Sequence, residues 1–423
     1  MQSTEESWGK LIKYHRQLQK LKQDDVAIGI CTPSYLSRIE NGIVIAEYSL
    51  YEQLFARLGI DLATSEQNEQ QHLTRLEIIY EKLLSNELLV TEEIEHLTAT
   101  QYTIYSYEFQ LIHQLIYSRY LLSIKEDDHA RALLEELEPL ISWRKDRVTE
   151  LYLAITAFAH LSYHEFGELA EREQKLQLAH YLTNAHLFEQ ANYHYHLAFA
   201  NHRTYNVQKA LHHIEIATSL FSHQYKPLFQ LKLYSMKGVI FNDLHRFHEA
   251  ITEFEAGLNL LKHVEMIQTP MQFSSLHNNI AYCYECQADF QKASVHYKLA
   301  NDYEEDLHSI INWMRTCYQQ QDTAQLSLLL EHYPQSQFTV PHHQYQRQLL
   351  AYALKDDFSI ATLQALEEPA FEHFETQQYY ALTLFYAPLW GQFYEQVHAY
   401  KRASHCYKLA YHASEKVRRR MSS

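Results

Sequence analysis

The chain has 423 residues, long enough for two or more domains and a large core, and carries a net charge of −16 from 36 basic and 52 acidic side chains. Only 8 Gly and 8 Pro occur, which argues against glycine-punctuated Rossmann or barrel folds. Half of those glycines (Gly9, Gly29, Gly42 and Gly59) fall in the first sixty residues. Beyond them Leu, Ala, Glu, Gln, Tyr and His dominate in long stretches free of Gly and Pro, the pattern of an all-α protein. The opening MQSTEESWGK lacks the basic start and apolar run of a signal peptide. No apolar stretch approaches the length of a membrane span. The 5 scattered cysteines form no framework and fit a reducing cytoplasm.

In chain order, Trp8, Leu11, Ile12 and Leu18 predict a first helix over residues 8–20. Gln23 to Gly42 then reads as two short helices joined by a tight turn. Thr32-Pro33 is a helix start: Thr caps free N–H groups, and Pro33 suits the first helical position. Leu36 and Ile39 fall on one face and point inward; Pro33, Ser34, Ser37 and Arg38 point outward. A short helix with small polar residues and one Arg suits a DNA major groove, where Arg can bond guanine bidentately. Asn41-Gly42 ends it with residues that tolerate a left-handed backbone. An ordinary helical hairpin is the competing reading; the spacing taken as a whole favours DNA. Residues 1–60 hold equal numbers of acidic and basic groups, so the whole −16 lies in the body, which repels DNA. Lys10, Lys13, Arg16, Lys20 and Lys22 supply a local basic patch. Leu50, Leu54, Phe55 and Leu58 predict one more helix, closed by Gly59, and the DNA-binding domain spans 1–60. The polar stretch 61–71 reads as a linker.

The segment resembles the helix-turn-helix of the lambda-repressor-like family on Gln23, Ala27 and the run Ser34-Tyr35-Leu36-Ser37-Arg38-Ile39-Glu40-Asn41-Gly42. The resemblance implies that Gln23, Thr32, Pro33, Ser34, Tyr35, Ser37 and Arg38 face DNA, with Gln23 and Ser34 on phosphate. In the turn the family's usual Gly is absent and one residue is missing, with Ile30-Cys31 in its place. That contraction is similar to peptide-sensing regulators typified by PlcR and NprR.

From residue 72 the chain repeats. Ala281, Tyr284, Ala293, Tyr297 and Ala300 form the sharpest unit. Gly238, Phe241, Ala250, Phe254 and Gly257 form another, and Gly391, Tyr394, Ala403, Tyr407 and Ala410 a third. Ala198, Asn201, Ala210, Ile214 and Ala217 form a weaker fourth. Fainter copies start at Ser118 and at His160, and residues 305–370 hold further degenerate units. Small residues let two antiparallel helices approach, and aromatics fill the gaps. The offsets are those of the tetratricopeptide repeat, at a longer period than usual. This predicts a right-handed superhelix over 72–418, followed by a basic tail at 419–423.

Stacked hairpins curl, so the first helix of each lines a concave groove. Counted from the leading small residue, the lining holds Ser275, Asn278, Asn279, Tyr282 and Glu285. It also holds Lys232, Ser235 and Asn242 in the repeat before, Asn192, His196 and His202 earlier still, and Arg119 in the faint first copy. Asn can donate to and accept from an extended peptide backbone at once, and Arg or Lys can hold a carboxylate. Solvated polar positions are the competing reading; the set favours a peptide.

The sequence offers no catalytic constellation, metal site or cofactor motif. Cys283-Tyr-Glu-Cys286 has no partner pair and lies inside a predicted helix. His164-Glu165-Phe-Gly-Glu168 ends in Glu where a zinc helix needs His. The two-part organisation resembles the quorum-sensing family of Rap, NprR, PlcR and PrgX, with NprR-like length. That resemblance implies a cytoplasmic bacterial transcription regulator, not an enzyme, with a short signalling peptide as ligand. It also implies an inverted-repeat DNA operator, a homodimer or higher oligomer, and allosteric control. The alternative it allows is a Rap-like regulator that binds a response regulator of the sporulation phosphorelay.

Overall fold

The computed structural model describes residues 4–60, 66–98, 106–355 and 358–421, and every regular element among them is a helix. The chain divides into two compact units, residues 1–196 and 197–423.

The first unit opens with α1 (Thr4–Leu18), α2 (Gln23–Ala27), α3 (Pro33–Glu40) and α4 (Tyr48–Arg57). They enclose a core of Leu11, Ile12, Val26, Ala27, Leu36, Ile39, Tyr51, Leu54 and Phe55. Thr32 Oγ1 accepts the Tyr35 N–H at 3.2 Å, so the expected cap of α3 is present. A side chain at Gly9 would collide with the Ile39 carbonyl, so glycine is what lets α1 cross α3. The turn between α2 and α3 does contain a left-handed glycine, contrary to the sequence reading: Gly29 has φ +76° and closes α2.

The expected linker is partly helical. Residues 66–71 form the first turns of α5 (Glu66–Ser85), and 61–65 lie outside the described residues. The Glu69 carboxylate accepts the Ser106 N–H at 2.9 Å and its hydroxyl at 2.5 Å. Tyr107 joins the apolar core of the opening four helices, so that domain rests on the body rather than standing free. After α6 (Thr91–Thr98) come the pairs α7 (Tyr107–Ser123) with α8 (Asp127–Leu137), and α9 (Arg147–Ser162) with α10 (Phe166–Leu176). The unit boundary falls inside α11 (Leu187–Arg203), whose partner is α12 (Val207–Phe221).

The second unit continues with α13 (Pro227–Asp243) and α14 (Phe247–His263), then α15 (Pro270–Cys286) and α16 (Phe290–Tyr303). Next are α17 (Leu307–Gln319) and α18 (Thr323–His332), α19 (Pro341–Ala353) and α20 (Ile360–Thr376), and α21 (Tyr380–Gln396) and α22 (Tyr400–Met421). Of the anticipated basic tail, residues 419–421 are the last turn of α22, and 422–423 lie outside the described residues.

One device recurs at the hairpin turns. A non-glycine residue sits in the left-handed region at Lys125, Tyr205, His245, Ala288 and His398. Each lies seven positions after a leading small residue (Ser118, Ala198, Gly238, Ala281 and Gly391). The next N–H reaches back to close the helix end, as Arg246 N–H does to Phe241 O at 2.8 Å and Asp289 N–H to Tyr284 O at 2.9 Å. His164 is left-handed in the same way, which moves the leading residue of that faint copy from His160 to Ala157. The small residues pack as their size requires. A Cβ built at Gly238 would lie 2.5 Å from the Phe254 ring, and one at Gly391 2.7 Å from the Tyr407 ring. The fourth-place aromatic therefore fills its own hairpin. Within the second unit, Tyr205 at the α11–α12 turn donates its hydroxyl to the Gln378 carbonyl at 2.9 Å. Its ring lies 5.5 Å from that of Tyr380.

Candidate DNA-reading helix and peptide groove

Helix α3 presents Thr32, Pro33, Ser34 and Arg38 to solvent, with Tyr35 and Ser37 half-buried, while Leu36 and Ile39 are buried. Beneath it, Glu40 is 1% exposed. Its carboxylate accepts Arg16 Nε at 2.6 Å, Arg16 Nη2 at 2.8 Å and Gln23 Nε2 at 2.7 Å. This cluster ties the start of α2 to the end of α3 and fixes the angle between them. Two expectations change as a result. The Gln23 amide nitrogen turns inward rather than toward a phosphate. Arg16 is a half-buried structural partner, its pKa raised by the hydrogen bonds it donates to the Glu40 carboxylate, and drops out of the basic patch. Lys13 Nζ caps Asn41 Oδ1 at 3.1 Å, leaving Lys20 and Lys22 exposed.

In the second unit the lining residues of α13, α15, α17 and α19 form one contiguous polar strip. Asn312 Nδ2 donates to Asn278 Oδ1 at 3.3 Å, and Asn278 Nδ2 to Asn279 Oδ1 at 3.4 Å. Asn242 is 6% exposed; its Nδ2 leans on Cys286 Sγ at 3.9 Å, and its Oδ1 has no partner. Glu285, expected to face a peptide in the groove, is turned onto protein partners instead. It accepts Arg315 Nε at 2.7 Å and Nη2 at 2.9 Å, and also the Tyr297 hydroxyl at 2.8 Å. Burial opposes the Arg315 charge, and the Glu285 carboxylate more than offsets it, so the guanidinium pKa is raised. Gln346 Oε1 accepts Arg315 Nη1 and the Tyr386 hydroxyl, each at 3.5 Å. Tyr282 sits over this pair, 6.0 Å from the guanidinium carbon. Ser235 and Lys232 lie on the same helix as Asn242, about 10 and 15 Å toward its start.

Sequence reasoning missed Arg315, Asn312 and Gln346. The backbone, not the sequence, marks the place of the first two. The left-handed Gln321 marks Met314 as a leading residue, which puts Asn312 and Arg315 at lining positions. Without a small residue at 314 the repeat was illegible.

In the first unit, Arg119 is 3% exposed and stacks 3.7 Å over the Phe158 ring. Its Nη2 donates to Leu83 O at 3.0 Å, while Nε and Nη1 have no partner. Burial without a carboxylate lowers its pKa to about 10. The His196 ring also packs on Phe158, at 5.6 Å. Asn192 Nδ2 donates to Phe188 O of its own helix at 3.0 Å.

Cys283 is buried inside α15, and burial raises its pKa to about 12, as packing rather than reactivity requires. His160, Glu165 and Glu168 converge, but Arg131 Nη2 already pairs with Glu165 at 2.8 Å and supplies the positive charge a metal would bring. No described helix is long and apolar enough to cross a membrane.

The architecture is that of a four-helix N-terminal domain, with α2 and α3 joined by a tight turn, followed by helical hairpins of tetratricopeptide-like spacing in each unit. No family model matches the chain. In sequence it is similar to the "Transcriptional activator NprA" of Geobacillus stearothermophilus, 22% identical over 405 residues, covering 91% of this chain and 98% of the relative. In fold it is similar to the apo form of the quorum sensor NprR from B. thuringiensis, with a TM-score of 0.65 and 13% identity over 82% of this chain and 99% of that one. It is also similar to a Rap protein complexed with Competence and Sporulation Factor, with a TM-score of 0.63 and 10% identity over 83% and 99%. NprR in complex with its cognate peptide NprX gives a TM-score of 0.57 at 15% identity over 80% and 98%.

Proposed function

We propose that the chain is a cytoplasmic transcription regulator, not an enzyme, whose DNA binding is set by a short signalling peptide held by the polar strip of the second unit. The observation that carries this reading is the row of amides on Asn242, Asn278, Asn279 and Asn312, backed by the Glu285–Arg315 pair. A strip of this kind offers donors and acceptors to a peptide backbone, and the unpaired Asn242 Oδ1 is an acceptor awaiting an N–H. The names of the relatives point the same way: one is an activator, and NprR was solved with a peptide. On this reading Arg38 reads a base edge from α3, and Thr32, Ser34, Tyr35 and Ser37 settle the helix on the backbone. Each domain covers a half-site, so the protein binds an inverted repeat as a homo-oligomer.

The test uses the full chain. DNA selected from a random duplex pool should contain an inverted repeat. Arg38→Ala should lose about 1–3 kcal/mol and relax specificity at one base pair per half-site. A synthetic peptide encoded by a short secreted-peptide gene beside this one should bind by calorimetry and change the affinity for the selected DNA. Absence of any selected sequence, together with capture of a response regulator, would favour the Rap-like alternative.

A further inference from the structure

Helix α1 packs on both α3 and α7, and so stands between the proposed DNA-reading helix and the helices behind it. Its contact with α3 is close: Gly9 lets α1 cross against the Ile39 carbonyl, and Arg16 pairs with Glu40 at 2.6 Å. Its contact with α7 is aromatic. Tyr14 of α1 meets Tyr107, the first residue of α7, edge to face, with ring centroids 6.3 Å apart. Tyr107 also packs against the apolar core of the opening four helices. Burial there pushes the pKa of both phenols up to about 12. Tyr107 is itself anchored from behind. Ser106 Oγ accepts the Phe109 N–H and so caps α7, while Glu69 of α5 accepts both the N–H and the hydroxyl of Ser106. Helix α7 packs on α5, α8 and α9, and about 18 Å further along it Arg119 stacks on Phe158 of α9.

We infer that Tyr107 clamps the N-terminal domain in one orientation on α7 and thereby fixes the spacing of the DNA half-sites the protein accepts. A domain held by its chain alone can swing about that joint. A second contact, away from the joint, removes the swing, and Tyr107 supplies it. One base pair added between two half-sites moves the second by about 3.4 Å and turns it by about 35° around the duplex axis. A clamped domain cannot follow that displacement, whereas a swinging one can. Tyr107 is therefore a positioning residue: it lies beyond the reading helix, and α3 keeps its own contacts without it. The inference rests on the inverted repeat and homo-oligomer of the proposed function, and it gives part of the sequence specificity to a residue that does not face DNA.

The full chain is tested on the inverted repeat it selects, on versions with one, two or three base pairs inserted between the half-sites, and on a duplex bearing a single half-site. The parent should lose at least tenfold in affinity on a single insertion. Tyr107→Ala should bind the whole series within about threefold, with parent-like affinity for the single half-site and unchanged helical content. Tyr107→Phe, which keeps the ring, should keep the parent's preference. Glu69→Ala, outside the N-terminal domain, should relax the spacing too, and it carries the test if Tyr107→Ala unsettles the core beside it. The clamp is also read without DNA, by nitrogen relaxation of the backbone amides. Residues 4–60 should tumble with the whole chain in the parent and faster in Tyr107→Ala. A parent whose N-terminal domain tumbles independently, a parent indifferent to spacing, or Tyr107→Ala and Glu69→Ala proteins as strict as the parent would overturn the inference. Selection of no inverted repeat is instead the failure of the proposed function, and relaxation then decides the clamp on its own.

Discussion

Arg315 and Glu285 meet in the second unit with side chains almost wholly out of water, and each carries a charge the interior tolerates only because of the other. Arg315→Met should therefore destabilise by about 3–5 kcal/mol, because it strands the Glu285 carboxylate; adding Glu285→Gln should recover part of that loss. Urea denaturation of the single and double variants checks this, and equal losses in the two would remove the pair from its structural role. Asn242 behaves differently. Its Oδ1 bonds to nothing, so Asn242→Ala should leave the folding transition where it is and weaken peptide binding about ten- to a hundredfold, the cost of one unpaired amide. Calorimetry with the full-length variant decides; parent-like affinity would take Asn242 out of the site.

At the scale of the helical hairpin, packing turns on small residues. Gly238→Ala places a methyl 2.5 Å from the Phe254 ring, inside van der Waals contact, and should cost about 1–3 kcal/mol as α13 and α14 separate. Thermal melts of this variant beside Gly257→Ala, where a Cβ would meet leucine methyls at 3.2 Å, should show the first as the worse. The same small residues made much of the fold legible in the sequence. Repeats led by Ala198, Gly238, Ala281 and Gly391 announced their own hairpins, and Thr32-Pro33 and Gly42 marked the ends of α3. Hairpins led by Ala157 and Met314 were blurred because large residues, Leu169 and Leu176 in one and Leu326 and Tyr333 in the other, stand at the third and fifth places where small ones mark the register. The site was half legible for a related reason. Surface position predicts that Asn278 and Asn279 line a groove, but periodicity says nothing about partners. The burial of Glu285 against Arg315, and of Gln23 and Arg16 against Glu40, depends on residues brought from other helices.

For the molecule as a whole, protons set a stability window. Burial lowers the pKa of His15, His96, His113, His277, His342 and His343 from 6.5 to about 4. For His96, His113, His277, His342 and His343 neighbouring histidines act in the same direction. Above pH 6.5 these rings are neutral whether the chain is folded or not, and their contribution is fully present. As pH falls from 6.5 toward 4 the unfolded chain binds protons that the native chain refuses, and stability declines. The urea midpoint should therefore drop between pH 7 and pH 5, above the range where carboxylates titrate. His343→Gln, at a site 7% exposed, should make that drop shallower. A midpoint flat across this interval would contradict the neutral burial of these rings.

The bond from Tyr205 to Gln378 spans 173 positions in the chain. An array of hairpins that touch only their neighbours is a one-dimensional chain of couplings, and such an array frays from its free end inward. A contact between distant members adds a coupling that no nearest-neighbour ladder contains, and the end hairpins then open only together with the segment they are fastened to. Slow amide exchange should consequently extend into α20 and α21 of the parent protein. Tyr205→Phe, which keeps the ring and removes the donor, should let exchange there quicken several-fold while α15 and α16 hold their protection. The end of the array would then melt as a zipper rather than as a block.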